Sequence, residues 1–303
     1  MCIIYNYFIR FLFIALVILN SCQHKSSPGN NNVEGYFFGT PDRTVVLPAV
    51  LHEISGLSLI NDSSFACIQD EIGIVFFYDL KRDKISRQLT FTAKGDFEGI
   101  AKADSNIYVL RSDGALFEIL NFGSENFTVN KFQTDVPSKD NEGLCFDPDR
   151  NLLLIACKDN VSKKAGSKDD RYIFAFDPGS GKLIKDPVYT FKVKTIADFA
   201  MKNKIDVPLK SKKKSHKSEP DIKFRPSGIG IQPGTKDIFI LSAEDNLLFI
   251  FSYSGIIKNI VNLDPQLFLQ AEGITFFPDN DLLISNEGRN REPTFLRFNY
   301  QGE

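Results

Sequence analysis

Histidine is scarce in this sequence: His24, His52 and His216 are the three histidines among 303 residues. They form no pair at the spacing of a metal site, and there is no Gly-x-Ser-x-Gly motif of the kind that presents a nucleophilic serine. A lone histidine is more often a surface or packing residue than a catalyst. The sequence therefore gives no support to nucleophilic catalysis.

An excess of charge of one sign is also missing. The chain has 36 Lys and Arg residues against 38 Asp and Glu residues, a formal net charge of −2. Domains that bind nucleic acid usually carry a strongly basic face, so this balance does not favour nucleic acid as a partner. The basic run KSKKKSHK, at residues 210–217, is expected to be a solvated loop rather than a site for phosphates or lipid head groups.

Long apolar runs are absent except near the N-terminus. Residues 11–19, FLFIALVIL, follow Arg10 and are too short to span a bilayer comfortably, an arrangement typical of a signal peptide. Residues 19–22, LNSC, resemble the bacterial lipobox, whose cysteine becomes the lipid-carrying N-terminus; an uncleaved membrane anchor is the alternative. We therefore expect a lipoprotein signal peptide over 1–21, fatty acylation (palmitate) at Cys22, a flexible tether over 22–41 and a body held to the cell envelope, outside the cytoplasm.

Cysteines that could form disulfide bonds are few beyond Cys22. Cys67, Cys145 and Cys157 all lie inside apolar, strand-like runs. Three is an odd number, and small apolar side chains at strand positions are typical of the core. We expect buried free thiols rather than a disulfide framework.

What the sequence does contain is a repeat. In residues 139–160, KDNEGLCFDPDRNLLLIACKDN, an acidic residue and a glycine open an apolar run, and a second apolar run ends in an acidic turn. Five such openings are separated by steps of 43, 44, 85 and 45 residues, and they align on Gly56, Gly99, Gly143, Gly228 and Gly273. A period of about 40–45 residues with four short strands in each unit is typical of propeller blades.

This repeat predicts an all-β fold, a β-propeller of five four-stranded blades forming a single domain over residues 42–303. The 85-residue step leaves six blades as the alternative, but residues 194–225 read as a polar insertion with one helical stretch, not as four strands. The last repeat has three strands before the chain ends. The N-terminal run TVVLPAV, residues 44–50, is expected to complete it and to remove the open edge.

Several motifs in phase carry a family resemblance: EISGL ending at residue 57, the turn at Asp70 and Glu71, GDFEGIA at 95–101, NEGL at 141–144 and AEGIT at 271–275. With these motifs, residues 45–300 resemble the SdiA-regulated, YjiK-type family of bacterial envelope β-propellers. The resemblance implies an extracytoplasmic or membrane-associated propeller, related in shape to phytase-like and lactonase-like propellers, with a calcium-linked role of the kind suspected for some members. The fourth repeat departs from the pattern, because Arg225 and Ser227 stand where carboxylates stand in the second and third repeats.

The residues just before the repeated glycines are candidate metal ligands. The first strand of each blade lines the channel of a propeller, so these residues should face one mouth. Six of them are carboxylates: Glu53, Asp96, Glu98, Asp140, Glu142 and Glu272. Ca²⁺ takes six to eight oxygen ligands and would neutralise such crowded charges, which predicts a calcium site. The alternative is that each glutamate accepts hydrogen bonds from the backbone N–H groups of its own turn and needs no metal.

Acidic residues also mark the second turn of each repeat. Asp, Asn and Gly are common in turns for backbone reasons alone. These turns should nevertheless lie at the same end of the blades as the first set. Asp70, Glu71 and Glu287 are therefore second-tier candidates for the metal, and Arg225 is a candidate anion-binding residue.

Two classes of function remain. The first is a membrane-anchored, monomeric binding or scaffold propeller, responsive to calcium, with a ligand or protein of unknown identity at the channel mouth. The second is a calcium-dependent hydrolase, phytase-like or lactonase-like, in which the acidic mouth holds the metal and Arg225 holds an anion. A ring of glutamates without an evident base or nucleophile does not define a reaction, and a fold alone defines no activity. The binding protein is therefore favoured over the enzyme.

Overall fold

The structure is a computed structural model that describes residues 32–33, 35–161, 167, 169–211 and 218–302. The predicted signal peptide, Cys22, His24 and His216 lie outside the described residues. Within the described ranges, no helix is both long and apolar enough to cross a membrane.

The chain begins with a short hairpin and the closing strand of the ring. Strands β1 (Asn32–Val33) and β2 (Tyr36–Phe37) pair with each other, and β3 (Arg43–Val46) and a 3₁₀ turn (Ala49–Leu51) follow.

Five antiparallel sheets account for most of the remaining strands. Blade one contains β4 (Ile54–Asn61), β5 (Ser64–Gln69), β6 (Ile74–Asp79) and β7 (Lys84–Thr90), and blade two contains β8 (Phe97–Ala103), β9 (Asn106–Arg111), β10 (Ala115–Leu120) and β11 (Thr128–Gln133). Blade three contains β12 (Asn141–Asp147), β13 (Leu152–Cys157), β14 (Asp170–Asp177), β15 (Lys182–Leu183) and β16 (Tyr189–Lys192), where β15 and β16 both pair with β14.

The predicted insertion lies between blades three and four. It consists of helix α1 (Val193–Lys202) and a hairpin of β17 (Leu209–Ser211) and β18 (Ser218–Pro220). Blade four contains β19 (Gly228–Ile231), β20 (Ile238–Ser242), β21 (Leu247–Phe251) and β22 (Ile257–Asn262), and blade five contains β23 (Ala271–Phe276), β24 (Leu282–Asn286), β25 (Thr294–Phe298) and β3.

The five sheets close into a ring. The first strand of each blade contacts the first strand of the next, and β23 of blade five contacts β4 of blade one. Each pair of neighbouring blades also shares one cluster of buried apolar side chains. The predicted five-bladed β-propeller is confirmed, and the six-bladed alternative is excluded.

Burial within a blade follows from this packing. Middle strands such as β20, β21 and β24 are buried along their whole length, because both of their faces touch neighbouring blades. The outermost strand β7 alternates between exposed and less exposed positions, as expected for a strand with one face in water. Cys67, Cys145 and Cys157 are free and buried, which confirms the prediction for these three thiols.

The ring closes through the N-terminal strand, as predicted. β3 pairs with β25, with Val46 opposite Thr294 and Arg43 opposite Arg297. The strand ends earlier than the predicted 44–50 because Pro48, which has no N–H to donate to a ladder, leads into the 3₁₀ turn. Blade five therefore has four strands, and β3 pairs with the edge of β25 that would otherwise be open.

The region predicted to be a flexible tether, 22–41, packs against the blades over its last part. Val33, Tyr36 and Phe38 are buried in the cluster between blades four and five. The Tyr36 hydroxyl donates to the carbonyl of Asn280 at 2.5 Å and accepts from Nε2 of Gln232 at 2.9 Å. Low sequence complexity concealed these aromatic anchors, which bury large apolar areas while keeping their polar atoms bonded.

The repeated glycines are explained by the contact between inner strands. A Cβ built on Gly99 would lie 2.9 Å from the backbone oxygen of Glu142 in the next blade, and one on Gly273 would lie 3.0 Å from the backbone nitrogen of Leu57. On Gly228 it would overlap the backbone oxygen of Glu272. Glycine therefore allows the first strands to approach one another around the channel.

Candidate functional site

Channel-facing side chains form layers. The outer layer consists of the residue before each repeated glycine: Ser55, Glu98, Glu142 and Glu272 line the central space, and Ser227 holds the equivalent position in blade four. Below it lies an apolar layer of Leu57, Ile100, Leu144, Ile229 and Ile274, each at most 5% exposed. The free space among these side chains is about 10 Å³, room for about one water molecule. The channel is therefore plugged, and its two mouths are separate surfaces.

The two serines of the outer layer have a structural role. The Ser55 hydroxyl donates to the backbone oxygen of Phe97 at 2.7 Å, and the Ser227 hydroxyl donates to that of Ala271 at 2.7 Å. Each bond joins a blade to the next. The glutamates at the equivalent positions are left as the ionisable groups of this layer.

The structure brings the two predicted acidic sets to the same mouth. The backbone N–H of the residue after the second strand bonds the backbone oxygen of the residue three before the repeated glycine. This bond joins Asp70 to Glu53 (3.2 Å), Ser112 to Asp96 (2.9 Å), Lys158 to Asp140 (3.0 Å) and Glu287 to Gln270 (3.0 Å). A second ring of side chains therefore surrounds the glutamate layer.

One side of this mouth, on blades three and four, carries the cations. Lys158 forms an ion pair with Glu142. Arg225 lies 2.6 Å from Asp159, 3.2 Å from Glu244 and 3.9 Å from Asp140. The guanidinium predicted to bind an anion is thus surrounded by carboxylates. Its anion-binding role stays a prediction.

The other side, on blades five, one and two, carries an excess of negative charge. We call it the acidic patch, and it consists of Glu53, Asp70, Glu71, Asp96 and Glu287. Within the described part of the chain, none of these five carboxylates forms an ion pair with a Lys or Arg side chain. Asp96 accepts a hydrogen bond from the Ser112 hydroxyl. Arg289 donates a hydrogen bond to the side-chain oxygen of Gln270, and its charge partly opposes the rise in the pKa of Glu287.

Crowding in the acidic patch changes its ionisation. Burial, together with the charges of Glu53, Glu71 and Asp96, raises the pKa of Asp70 to about 6. Burial and the charges of Asp70 and Glu53 raise the pKa of Glu287 to about 7. Both carboxyl groups are therefore held in a state in which the negative form is disfavoured and a nearby cation would be stabilising.

The glutamate layer is shifted further. Burial, with the charges of Glu142 and Asp96, raises the pKa of Glu98 to about 9. For Glu142, burial raises the pKa to about 7 against the opposing effect of Lys158. Burial also raises the pKa of Glu272 well above its ordinary value. At pH 7, then, Glu98 retains its proton, whereas Glu142 is paired with Lys158.

The mouth has acceptors for a cation but no assembled metal site. Asp70 Oδ1 and Glu142 Oε2 are buried without a hydrogen-bond partner. Yet no three His, Cys, Asp or Glu side chains among the described residues lie close enough together to share one ion. Calcium, which requires several converging oxygens, would need these side chains to move.

Lys158 is the residue at this mouth that sequence reasoning missed. Burial lowers its pKa, but the charges of Glu142, Glu272 and Asp140 outweigh burial and raise it. The available signal was its place in the turn CKDN, directly after the second strand of blade three, where blades one and five have Asp70 and Glu287. The pattern predicted from these turns included only acidic residues, so a lysine at this position was not among the candidates.

Comparisons with known proteins support the fold and nothing finer. No family model and no curated protein matches this chain. The structure is similar to a glutaminyl cyclase of Myxococcus xanthus, with a TM-score of 0.52, 12% identity, and coverage of 86% of this chain and 94% of that one. It is also similar to a chain of a nidogen/laminin complex, with a TM-score of 0.45, 13% identity, and coverage of 81% and 82%. The likeness to the glutaminyl cyclase, at 12% identity, shows the fold alone, so the family resemblance stays a prediction.

Proposed function

We propose that this chain is a ligand-binding β-propeller, held to a membrane through a lipid on Cys22, whose acidic patch binds a cation. The observation that carries the proposal is the grouping of Glu53, Asp70, Glu71, Asp96 and Glu287 at one mouth without an ion-pair partner in the described residues. Burial, followed by repulsion from neighbouring carboxylates, raises the pKa values of Asp70 and Glu287, and a cation there would offset both effects.

Two kinds of cation would satisfy this patch differently. An organic ammonium ion donates directed hydrogen bonds, so it can reach carboxylates that lie apart and the buried Asp70 Oδ1 that lacks a donor. Calcium, the ion expected from the sequence, needs the carboxylates to converge. Both are cationic ligands of the same patch, and a titration with each distinguishes them.

The hydrolase alternative is less well supported. Arg225 is already surrounded by Asp140, Asp159 and Glu244. His52, beside Glu53, is exposed. A binding role needs only the charge arrangement that the mouth has, whereas hydrolysis needs a base and an oriented nucleophile as well.

Cation binding should stabilise the fold. At a concentration about a hundredfold above the dissociation constant, a ligand specific to the folded state adds about 2.7 kcal/mol. We expect calcium or 1,4-diaminobutane, at constant ionic strength, to raise the melting temperature by roughly 5–10 °C. The double variant Asp70→Asn/Glu287→Gln should lose this increase without becoming less stable in the absence of ligand, because like-charge repulsion is removed.

Glu125→Gln is the matched control, because Glu125 is an exposed carboxylate in a loop of blade two, outside the mouth. It should keep the full increase. Melting curves of the unmodified protein that move with neither cation would overturn the proposal, and a response to one cation alone identifies the class of ligand.

Membrane attachment is a separate part of the proposal and rests on residues 19–22, LNSC. The Cys22 thiol would be the lipid acceptor, so Cys22→Ala should abolish incorporation of a radiolabelled fatty acid. Equal labelling of the variant and the unmodified protein would contradict the lipid anchor and leave the cation site untouched.

A further inference from the structure

The channel mouth opposite the acidic patch opens into a larger cavity. Its volume is about 460 Å³, within the range of small-molecule sites. The next channel-facing layer lines it, and this layer consists of Leu59, Lys102, Phe146, Ile231 and Phe276. The apolar layer that includes Leu57 and Ile100 separates this cavity from the glutamates. A ligand here would therefore be bound independently of the acidic patch.

The walls of this cavity are mostly apolar, and three charged side chains, Lys102, Lys236 and Asp62, lie among them. Lys102 is on the same strand as Glu98 and Ile100 and alternates with the residues that enter the blade interfaces, so it belongs to the channel-facing row. It is half-buried. In the described part of the chain, no carboxylate lies within ion-pair distance of its amino group, whereas Lys236, the other lysine of the lining, lies 3.0 Å from Asp149.

The acidic group in the lining does not cancel this charge. Asp62 is exposed in the turn after β4, at the rim. An apolar concave surface with one half-buried ammonium that has no ion-pair partner among the described residues selects a ligand that has an apolar body and one negative group. A neutral apolar ligand would leave the ammonium without a partner, and a cationic ligand would be repelled by it.

We propose that this cavity binds a small organic carboxylate, with its apolar body against Phe146, Ile231 and Phe276 and its carboxylate on Lys102. The proposal is independent of cation binding at the other mouth. It assigns to the propeller a second site of opposite charge preference, separated from the first by the apolar layer of the channel.

Octanoate is the probe, and octylamine and octanol are the controls of matching length. Calorimetric titration of the full-length chain should show octanoate binding at one site per chain and binding tighter than either control. Lys102→Met should weaken octanoate binding tenfold or more while leaving octanol binding unchanged or stronger. Every variant is prepared in the same detergent at the same concentration. Partition of the ligand into the detergent is therefore the same for all of them.

Lys236→Met is the control variant, because it removes a lysine of the same lining that is already paired. It should bind octanoate as the unmodified protein does, and so should Glu98→Gln, which changes only the opposite mouth. Equal octanoate affinity in the Lys102→Met variant, equal binding of octylamine and octanoate, or no binding of octanoate would each overturn the proposal.

Discussion

Gly228→Ala is expected to destabilise the propeller by about 3 kcal/mol, the largest effect of any single methyl group added to the inner strands. The added Cβ would overlap the backbone oxygen of Glu272, so one inner strand must move relative to the next. A flexible side chain could rotate away, but this backbone carbonyl belongs to β23, which is packed between the inner strands β19 and β4. For a domain of this size we expect the melting temperature to fall by roughly 8 °C.

Gly123→Ala provides the comparison. A Cβ at Gly123 would meet nothing within 4 Å, so this variant should be unchanged or slightly more stable. The measurement is thermal unfolding of both variants beside the unmodified protein. Equal melting temperatures for Gly228→Ala and Gly123→Ala would show that close contact between inner strands does not explain the repeated glycine.

Glu98→Gln is expected to make the protein more stable in alkaline solution. Because the folded-state pKa of Glu98 is about 9 against an ordinary value of 4.5, the folded protein retains a proton that the unfolded chain loses. The stability linked to this proton is fully present below about pH 4.5 and is lost as the pH rises through about 9. Allowing for partial screening by solvent, we expect a gain of about 3 kcal/mol for the variant at pH 9 and almost none at pH 5.

Chemical denaturation at several pH values checks this expectation. The difference in unfolding free energy between Glu98→Gln and the unmodified protein should grow steadily from pH 5 to pH 9. Glu125→Gln, at an exposed loop position, should show no such trend. A constant difference across this pH range would mean that Glu98 is ionised in the folded protein at neutral pH.

The blade count could be predicted from the sequence because each repeat must solve the same packing problem. Glycines such as Gly99 and Gly273 recur where neighbouring inner strands approach most closely. The spacing between successive repeated glycines therefore gives the length of one blade in residues. The closing strand could be predicted for a similar reason, since three strands at the C-terminus leave an edge that Arg43–Val46 fills. Both inferences depend on local pattern and on one general rule about edges.

The site was less predictable because charge balance is set by neighbours in space. Lys158 pairs with Glu142 across sixteen residues of sequence, and Arg225 reaches Asp159 from the next blade. The carboxylates near each repeated glycine predict an acidic mouth, but they do not predict its division into a cationic side and an acidic patch. Tyr36 shows the same limit, because its partners Gln232 and Asn280 are distant in sequence.

The acidic patch is the feature on which the proposed function depends, and direct binding tests it. Equilibrium titration of the full-length chain with calcium, and separately with 1,4-diaminobutane, should give saturable binding of about one cation per chain at constant ionic strength. In the Asp70→Asn/Glu287→Gln variant we expect the affinity to fall by tenfold or more, and in Glu125→Gln we expect no change. Equal affinities in all three proteins, or no saturable binding of either cation, would contradict a cation site at this mouth.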